Sequence, residues 1–178
     1  YATIPEMAEM WAKFNQIPIG FFIYDSYELM TNFPVNKLED LKGHKIGAPG
    51  VAGNWLQGTG ATAVNGNFTL YYNSIKTGVY DGFLGPLSGA YPAKMHEVAK
   101  YITLVNLGAQ YVGTITMNKD KFDSFPPYMQ KIVREAGKTY SKASVDWENG
   151  IVTEGLEKMK AAGAVITKLP DAERRKWA

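Results

Sequence analysis

Cysteine is absent from the 178 residues, so there is no disulfide framework, no thiolate nucleophile and no thiolate metal site. Histidine occurs only as His44 and His96, far apart and without a carboxylate at helical ligand spacing; no metal centre is expected. Charge of one sign is also lacking. Nineteen Lys and Arg stand against 17 Asp and Glu, a formal net charge of +2, and the two signs are interleaved. Nucleic-acid binding needs a basic face, and none is visible. No run approaches the ~20 apolar residues of a membrane span. The longest, Ile17 to Tyr24, is broken by Pro18 and Gly20. A signal peptide is missing too, and the chain opens at Tyr1 without an initiator Met. The sequence therefore reads as part of a longer polypeptide whose targeting segment lies elsewhere.

What is present suits a packed protein. Apolar residues make up 46% and aromatics 13%, enough for one domain or two small lobes. Pro5 opens a helix with Met7, Trp11 and Phe14 on one face. Ile17 to Tyr24 reads as a buried strand, and Leu29 to Phe33 as a second extended piece. Asn36 and Glu39 have capping-box spacing around a short turn closed by Gly43. A strand follows at His44 to Ala48, then short helices at Val51 to Gln57 and Thr69 to Lys76, and a strand at Val79 to Leu84. Pro86 to Lys100 is expected to be mostly helical, with strands at Tyr101 to Val105 and Tyr111 to Met117. A long apolar periodicity runs from Pro126-Pro127 to Gly163, with Gly150 or Gly155 as bending points. A strand at Ala164 to Lys168 and a helix from Pro170 to Trp177 complete the chain. Alternating strands and helices predict an α/β fold with largely parallel pairing.

In such sheets small ligands lie beyond the carboxyl ends of the strands. Two loops there are glycine-rich: Gly47-Ala48-Pro49-Gly50-Val51-Ala52-Gly53, and Asp81-Gly82-Phe83-Leu84-Gly85-Pro86. The first lacks the Gly-Lys-Ser/Thr ending of a phosphate loop, and Pro49 interrupts a dinucleotide fingerprint. Ser88, in Gly85-Pro86-Leu87-Ser88-Gly89, misses the spacing of a hydrolase elbow, so no catalytic residue is assigned and no cofactor is expected. Trp55, Phe68, Tyr71, Tyr72, Tyr80, Phe83, Tyr91 and Tyr111 lie in or beside these loops. Each is first of all a core candidate. Several could instead line a cleft, supplying an apolar face and a polar tip.

The ordered set Leu38-Glu39-Asp40-Leu41-Lys42-Gly43-His44-Lys45-Ile46-Gly47-Ala48-Pro49-Gly50, Gly60-Ala61 and Tyr72-Asn73-Ser74-Ile75-Lys76-Thr77-Gly78-Val79-Tyr80-Asp81-Gly82 resembles the DctP-type solute-binding proteins of TRAP transporters. Lys100-Tyr101, Met117-Asn118 and the helix after Pro126-Pro127 extend the resemblance over essentially the whole chain. It implies a two-lobed periplasmic-binding-protein (Venus-flytrap) fold, here partial, with the long helix crossing between lobes. Residues 1–26 would be part of lobe I, 27–110 lobe II, 111–146 a return to lobe I, and 147–178 the helix end and a return to lobe II. It further implies a periplasmic receptor that captures a small organic acid and delivers it to the membrane permease subunits, with a homodimer through the long helix as in some relatives. An effector-sensing domain of a regulator and a small α/β enzyme are the alternatives.

One departure from the family pattern bears on the ligand. Many members carry Arg at the position of Gly47, where it makes a two-pronged salt bridge with the solute carboxylate, and glycine supplies no such pair. A second basic position aligns near Tyr27, and a residue that is often Asn aligns near Gly85. Either the solute's charge is met by Lys45, His44, backbone N–H groups or a segment outside this chain, or the ligand is larger and more apolar, an aromatic acid stacked among Phe68, Trp55, Phe83 and Tyr111, with Gly47 and Gly85 enlarging the cleft. Backbone at Pro49 and Gly50 would provide further contacts. Asp81-Gly82 is read as holding the loop rather than touching the solute.

Overall fold

The computed structural model describes residues 5–109 and 111–177. Its elements in chain order are α1 (Pro5–Lys13), β1 (Gln16–Ile23), β2 (Tyr27–Thr31), β3 (Lys45–Ala48), β4 (Thr62–Asn65), α2 (Phe68–Lys76), β5 (Gly82–Pro86), β6 (Tyr101–Leu104), β7 (Val112–Asn118), α3 (Lys119–Asp123), α4 (Pro127–Ala161), β8 (Val165–Lys168) and α5 (Asp171–Trp177). Single 3-10 turns lie at Leu38–Leu41, Gly50–Leu56 and Met95–Glu97. The chain divides into two compact units: Tyr1–Tyr24 with Tyr111–Gly150 (unit 1), and Asp25–Gln110 with Ile151–Ala178 (unit 2).

Unit 1 is built on β1 and β7, paired antiparallel from Gln16↔Asn118 to Ile23↔Val112, with a bulge between Pro18 and Gly20. Proline has no N–H to give to a ladder, so the register slips beside it. The bulge aims the Ile19 carbonyl at Gly137 of α4, where a side chain would collide with it. Ser141 ties the crossing: its hydroxyl donates to the Gly137 carbonyl (2.7 Å) and accepts the Phe21 N–H (2.9 Å). The strand expected to be buried is only half-buried, and α1 buries no residue. Among the described residues, Phe122 is the one large apolar side chain of unit 1 that is fully buried, whereas Phe14, Tyr128, Ile132 and Trp147 are 61–73% exposed.

Unit 2 holds a six-stranded sheet in the order β4-β3-β5-β2-β6-β8. The pairs β3–β4, β3–β5 and β6–β8 are parallel, whereas β2 runs antiparallel to both neighbours. All five residues of β2 are buried, as the centre of a sheet covered on both faces requires. On one face pack α2, residues 87–99 and the end of α4, through Tyr71, Ile75, Leu87, Met95 and Met159. On the other pack the 3-10 turns at 38–41 and 50–56 together with Leu169 and Trp177, through Leu41, Ala52 and Leu56.

Two local expectations are corrected. The turn at Leu38–Leu41 is capped by Asp40, whose carboxylate accepts the N–H groups of Asn36 (2.8 Å) and Lys37 (3.1 Å); Glu39 does not do this. Residues 86–100 run as turns with one 3-10 segment, because Pro92 interrupts them and Lys94 is left-handed at φ 56°. Helix α4 continues from Pro127 to Ala161 through both Gly150 and Gly155.

Candidate functional site

Strands β3 and β5 are neighbours and parallel, with Gly47 opposite Phe83, and their outgoing connections diverge. The segment after β3 covers one face of the sheet on its way to β4, and the segment after β5 covers the other on its way to β6. This is the topological switch point, where open α/β sheets leave a crevice. The carboxyl ends of β3, β4 and β5 and the amino end of the reversed β2 make up its floor.

Several backbone donors at this edge have side-chain acceptors, whereas the N-terminus of α2, which follows β4, has no side-chain cap. Gly50 N–H donates to Asn65 Oδ1 (3.2 Å), pinning the end of β3 to the end of β4. Asp25, just before β2, accepts the N–H groups of Leu87 (2.6 Å) and Ser88 (3.4 Å), shaping the turn that leaves β5. Glu28, inside β2 and 4% exposed, accepts those of Val105 and Asn106, the latter at 2.9 Å. The Arg174 guanidinium donates to the carbonyls of Val105 (2.9 Å) and Asn106 (3.3 Å). Burial pushes the Glu28 carboxyl above its ordinary value, more than the N–H groups and the Ser26 hydroxyl pull it down, and the Asp25 charge adds to the rise.

That shift predicts a pH dependence. A carboxyl with a raised folded-state pKa contributes most to stability below its ordinary value of 4.5. The contribution is lost as pH climbs through the raised value. The unfolding free energy of the wild type minus that of Glu28→Gln should therefore fall above pH 4.5, by at most ~1.4 kcal/mol per pH unit. Denaturant titrations across pH measure it, and a difference that rises with pH contradicts the assignment.

The glycines singled out in the sequence leave no empty space. A Cβ at Gly47 would lie 2.7 Å from Tyr71 Cε1 and 3.2 Å from Tyr80 Cδ2, and one at Gly85 would lie 3.3 Å from the Phe83 ring. Aromatic rings fill the volume that glycine leaves, so these positions do not enlarge a cleft. Phe83 is fully buried, stacked on Tyr71 (centroids 5.0 Å apart, 20° between planes) and edge-on to Phe68 (5.6 Å). Tyr71 itself is 1% exposed, and its hydroxyl meets no hydrogen-bond partner. Burial, with the neighbouring phenols of Tyr80 and Tyr27, raises its pKa far above the usual tyrosine range.

Of the other expected site residues, Tyr27 is buried edge-on to the half-buried Trp55 (5.4 Å) on the opposite face of the sheet from Phe68 and Phe83. A single ring therefore does not stack against all of them. Pro49 is half-buried and Gly50 exposed at φ 51°, a left-handed conformation suited to glycine. Tyr111 is 44% exposed and belongs to unit 1. Asp81 does hold a loop, at the other end of the sheet: its carboxylate accepts the Lys45 N–H (2.8 Å) and lies 3.3 Å from His44 Nδ1. Sequence reading did not single out Asp25, Glu28 or Asn65. A charged residue inside the apolar run Tyr27-Glu28-Leu29-Met30 is the signal that could have pointed to Glu28. Unit 1 carries a groove of about 520 Å³ among Phe22, Ile23, Tyr24, Tyr140 and Trp147, with the buried Glu148 in its wall.

Comparison with known proteins identifies the family and the fold. The family described as bacterial extracellular solute-binding protein, family 7 (DctP) matches residues 7–178. The C4-dicarboxylate-binding periplasmic protein DctP of Rhodobacter capsulatus is 31% identical over 168 residues, covering 89% of this chain and 49% of that protein. A TRAP periplasmic solute-binding protein from Sulfitobacter sp. NAS-14.1, solved with bound β-D-galacturonate, superposes with a TM-score of 0.83 at 21% identity, covering 97% of this chain and 59% of that one. The periplasmic ectoine-binding protein of the TeaABC TRAP transporter of Halomonas elongata gives 0.82 at 20% identity, covering 97% and 57%. At these identities the structural likenesses speak to the fold, a partial two-lobed binding-protein fold. The chain spans about half the length of the curated relatives it matches.

Proposed function

The chain belongs to the DctP family of bacterial extracellular solute-binding proteins, and from that membership we propose that it is part of a periplasmic receptor that captures a small organic solute and hands it to the permease of a TRAP transporter. The observation that supports this best is the topological switch point at the carboxyl ends of β3 and β5, the position where open α/β sheets take ligands. Gly47, Pro49, Gly50 and Gly85 form its backbone rim. Phe68 and Phe83 support one side of the sheet beneath it, and Tyr27 and Trp55 the other.

Binding without chemistry is part of the proposal. The carboxylates at this edge, Asp25 and Glu28, are engaged by backbone N–H groups, which suits a fixed frame better than proton transfer. The solute would then act by stabilising whichever conformer binds it more tightly, and the permease would recognise that conformer. Relatives named for a C4-dicarboxylate, galacturonate and ectoine show that the fold accepts varied solutes.

A solute that binds only the folded chain, at 100 times its Kd, should add about 2.7 kcal/mol of apparent stability. A thermal-shift screen of organic acids, amides and sugars, followed by mass spectrometry of recovered solute, checks this. Saturable, stoichiometric binding with the solute recovered unchanged supports the reading, and turnover of a bound compound contradicts it.

A further inference from the structure

We propose that unit 1 carries a binding site of its own, the groove between the end of β1 and α4, and that this groove takes an organic cation of the quaternary-ammonium class. Every lining residue belongs to unit 1, so the proposal is independent of the receptor reading above.

The walls are aromatic rings set around a low floor. Tyr140 and Trp147 stand two turns apart on α4, about 10.5 Å, and the small Ala143 and Ser144 lie between them. Phe22 and Tyr24, from the end of β1, close the side with their rings edge-on at 5.8 Å and 73°. Two glycines seat two of these rings. A Cβ at Gly113, which pairs with Phe22, would strike the Phe22 ring, and one at Gly20 would lie 3.4 Å from Tyr140 Cδ1. Ser141 fixes strand to helix, because its hydroxyl accepts the Phe21 N–H (2.9 Å) one residue from both Phe22 and Tyr140. The rings are therefore held before a ligand arrives, which lowers the ordering cost of binding.

Charge selects the occupant. The faces of aromatic rings are negative, and Glu148, 4% exposed, adds a carboxylate to the wall. Among the described residues no Lys, Arg or His lines the groove. An anion would be repelled by ring faces and carboxylate alike, whereas a cation is attracted to both, most strongly over Trp. Tyr24, Tyr140 and Trp147 are at least 40% exposed, so ring surface is open to it. Among the described residues no three His, Asp or Glu groups gather to hold a metal ion. An organic ammonium is the cation that remains, and methyl groups around its nitrogen match a wall of rings. The volume, about 520 Å³, admits such a head together with its chain.

The test titrates the purified chain, at constant ionic strength, with choline and with tert-butylethanol, the same skeleton with a quaternary carbon in place of nitrogen. Calorimetry and tryptophan fluorescence should show saturable choline binding at least tenfold tighter than that of the neutral twin. Trp147→Leu should weaken choline about tenfold and Trp147→Phe distinctly less. Tyr128→Leu, also exposed on α4 but outside the groove, should change nothing. Glu148→Gln should weaken choline and leave tert-butylethanol unchanged. Should that buried substitution unfold the chain, Trp147→Leu decides alone, because the Trp147 side chain is mostly exposed. Equal affinity for the two compounds marks a merely apolar face and overturns the proposal. Choline binding indifferent to Trp147→Leu overturns it as well, and so does the absence of saturable choline binding. None of these results bears on the receptor reading, which its own solute screen decides.

Discussion

Alanine at position 137 should destabilise the chain by about 3 kcal/mol, although alanine is the better helix former by ~1 kcal/mol. The two effects oppose each other, and geometry decides between them. A Cβ at Gly137 would run into the Ile19 carbonyl, which is backbone fixed between the Pro18↔Thr116 and Gly20↔Ile115 pairs. A flexible side chain could swing away, but a bulged strand can only retreat, and with it would go the Ser141 bonds to Phe21 and Gly137. Gly150 of the same helix is the control: nothing lies within 4 Å of its Cβ position. Gly150→Ala should therefore stabilise by up to ~1 kcal/mol. Denaturant unfolding followed by circular dichroism and tryptophan fluorescence measures both. Equal signs at the two positions would show that the close crossing of β1 and α4 does not control the stability of unit 1.

Phe83→Ala should cost ~3–5 kcal/mol, the range for emptying a large buried aromatic site. The ring is fully buried, stacked on Tyr71 and edge-on to Phe68, on a strand flanked on both sides by others. Phe83→Leu keeps most of the volume and should cost less than ~1.5 kcal/mol. The consequence reaches the proposed site. With the ring gone, the 3.3 Å contact that crowds a Cβ at Gly85 disappears, so Gly85→Ala should be better tolerated in the Phe83→Ala background than alone. A double-mutant cycle by thermal melting gives the coupling, and strict additivity would mean that the Phe83 ring does not set the space at Gly85.

How much of this was legible in the sequence depended on where each residue's partner stood. Helix α4 announced itself through a long periodic pattern bounded by Pro126-Pro127 and Gly163, because helical spacing is local. Strand β3 was readable from Lys45-Ile46-Gly47-Ala48. Strand β4 was missed because Thr62–Asn65 is short, lies at the sheet edge and is mostly exposed, so it carries little apolar signal. Residues 87–99 have apolar spacing that suits a helix, yet they bury Leu87, Ala90, Met95 and Ala99 by a series of turns, since Pro92 and the left-handed Lys94 end helical hydrogen bonding. The roles of Asp25 and Glu28 were invisible because their N–H partners lie 62 to 78 residues away. Gly47 and Gly85 show the deepest limit. A glycine says that something comes close, and whether that is a ligand or the protein's own ring is decided by Tyr71, Tyr80 and Phe83, which sequence proximity alone does not place.

The pairing of β8 with β6 has a kinetic consequence. Tyr101↔Val165 to Leu104↔Lys168 join two stretches between which the chain builds β7, α3 and the whole of α4. During synthesis the first five strands of that sheet can assemble early, but its edge at β6 stays bare until residues 165–168 emerge. Loop closure over such a separation is slow relative to local hairpins, and a bare edge invites pairing with another chain. Refolding yield should therefore fall with protein concentration, because the vulnerable interval ends only when β8 docks.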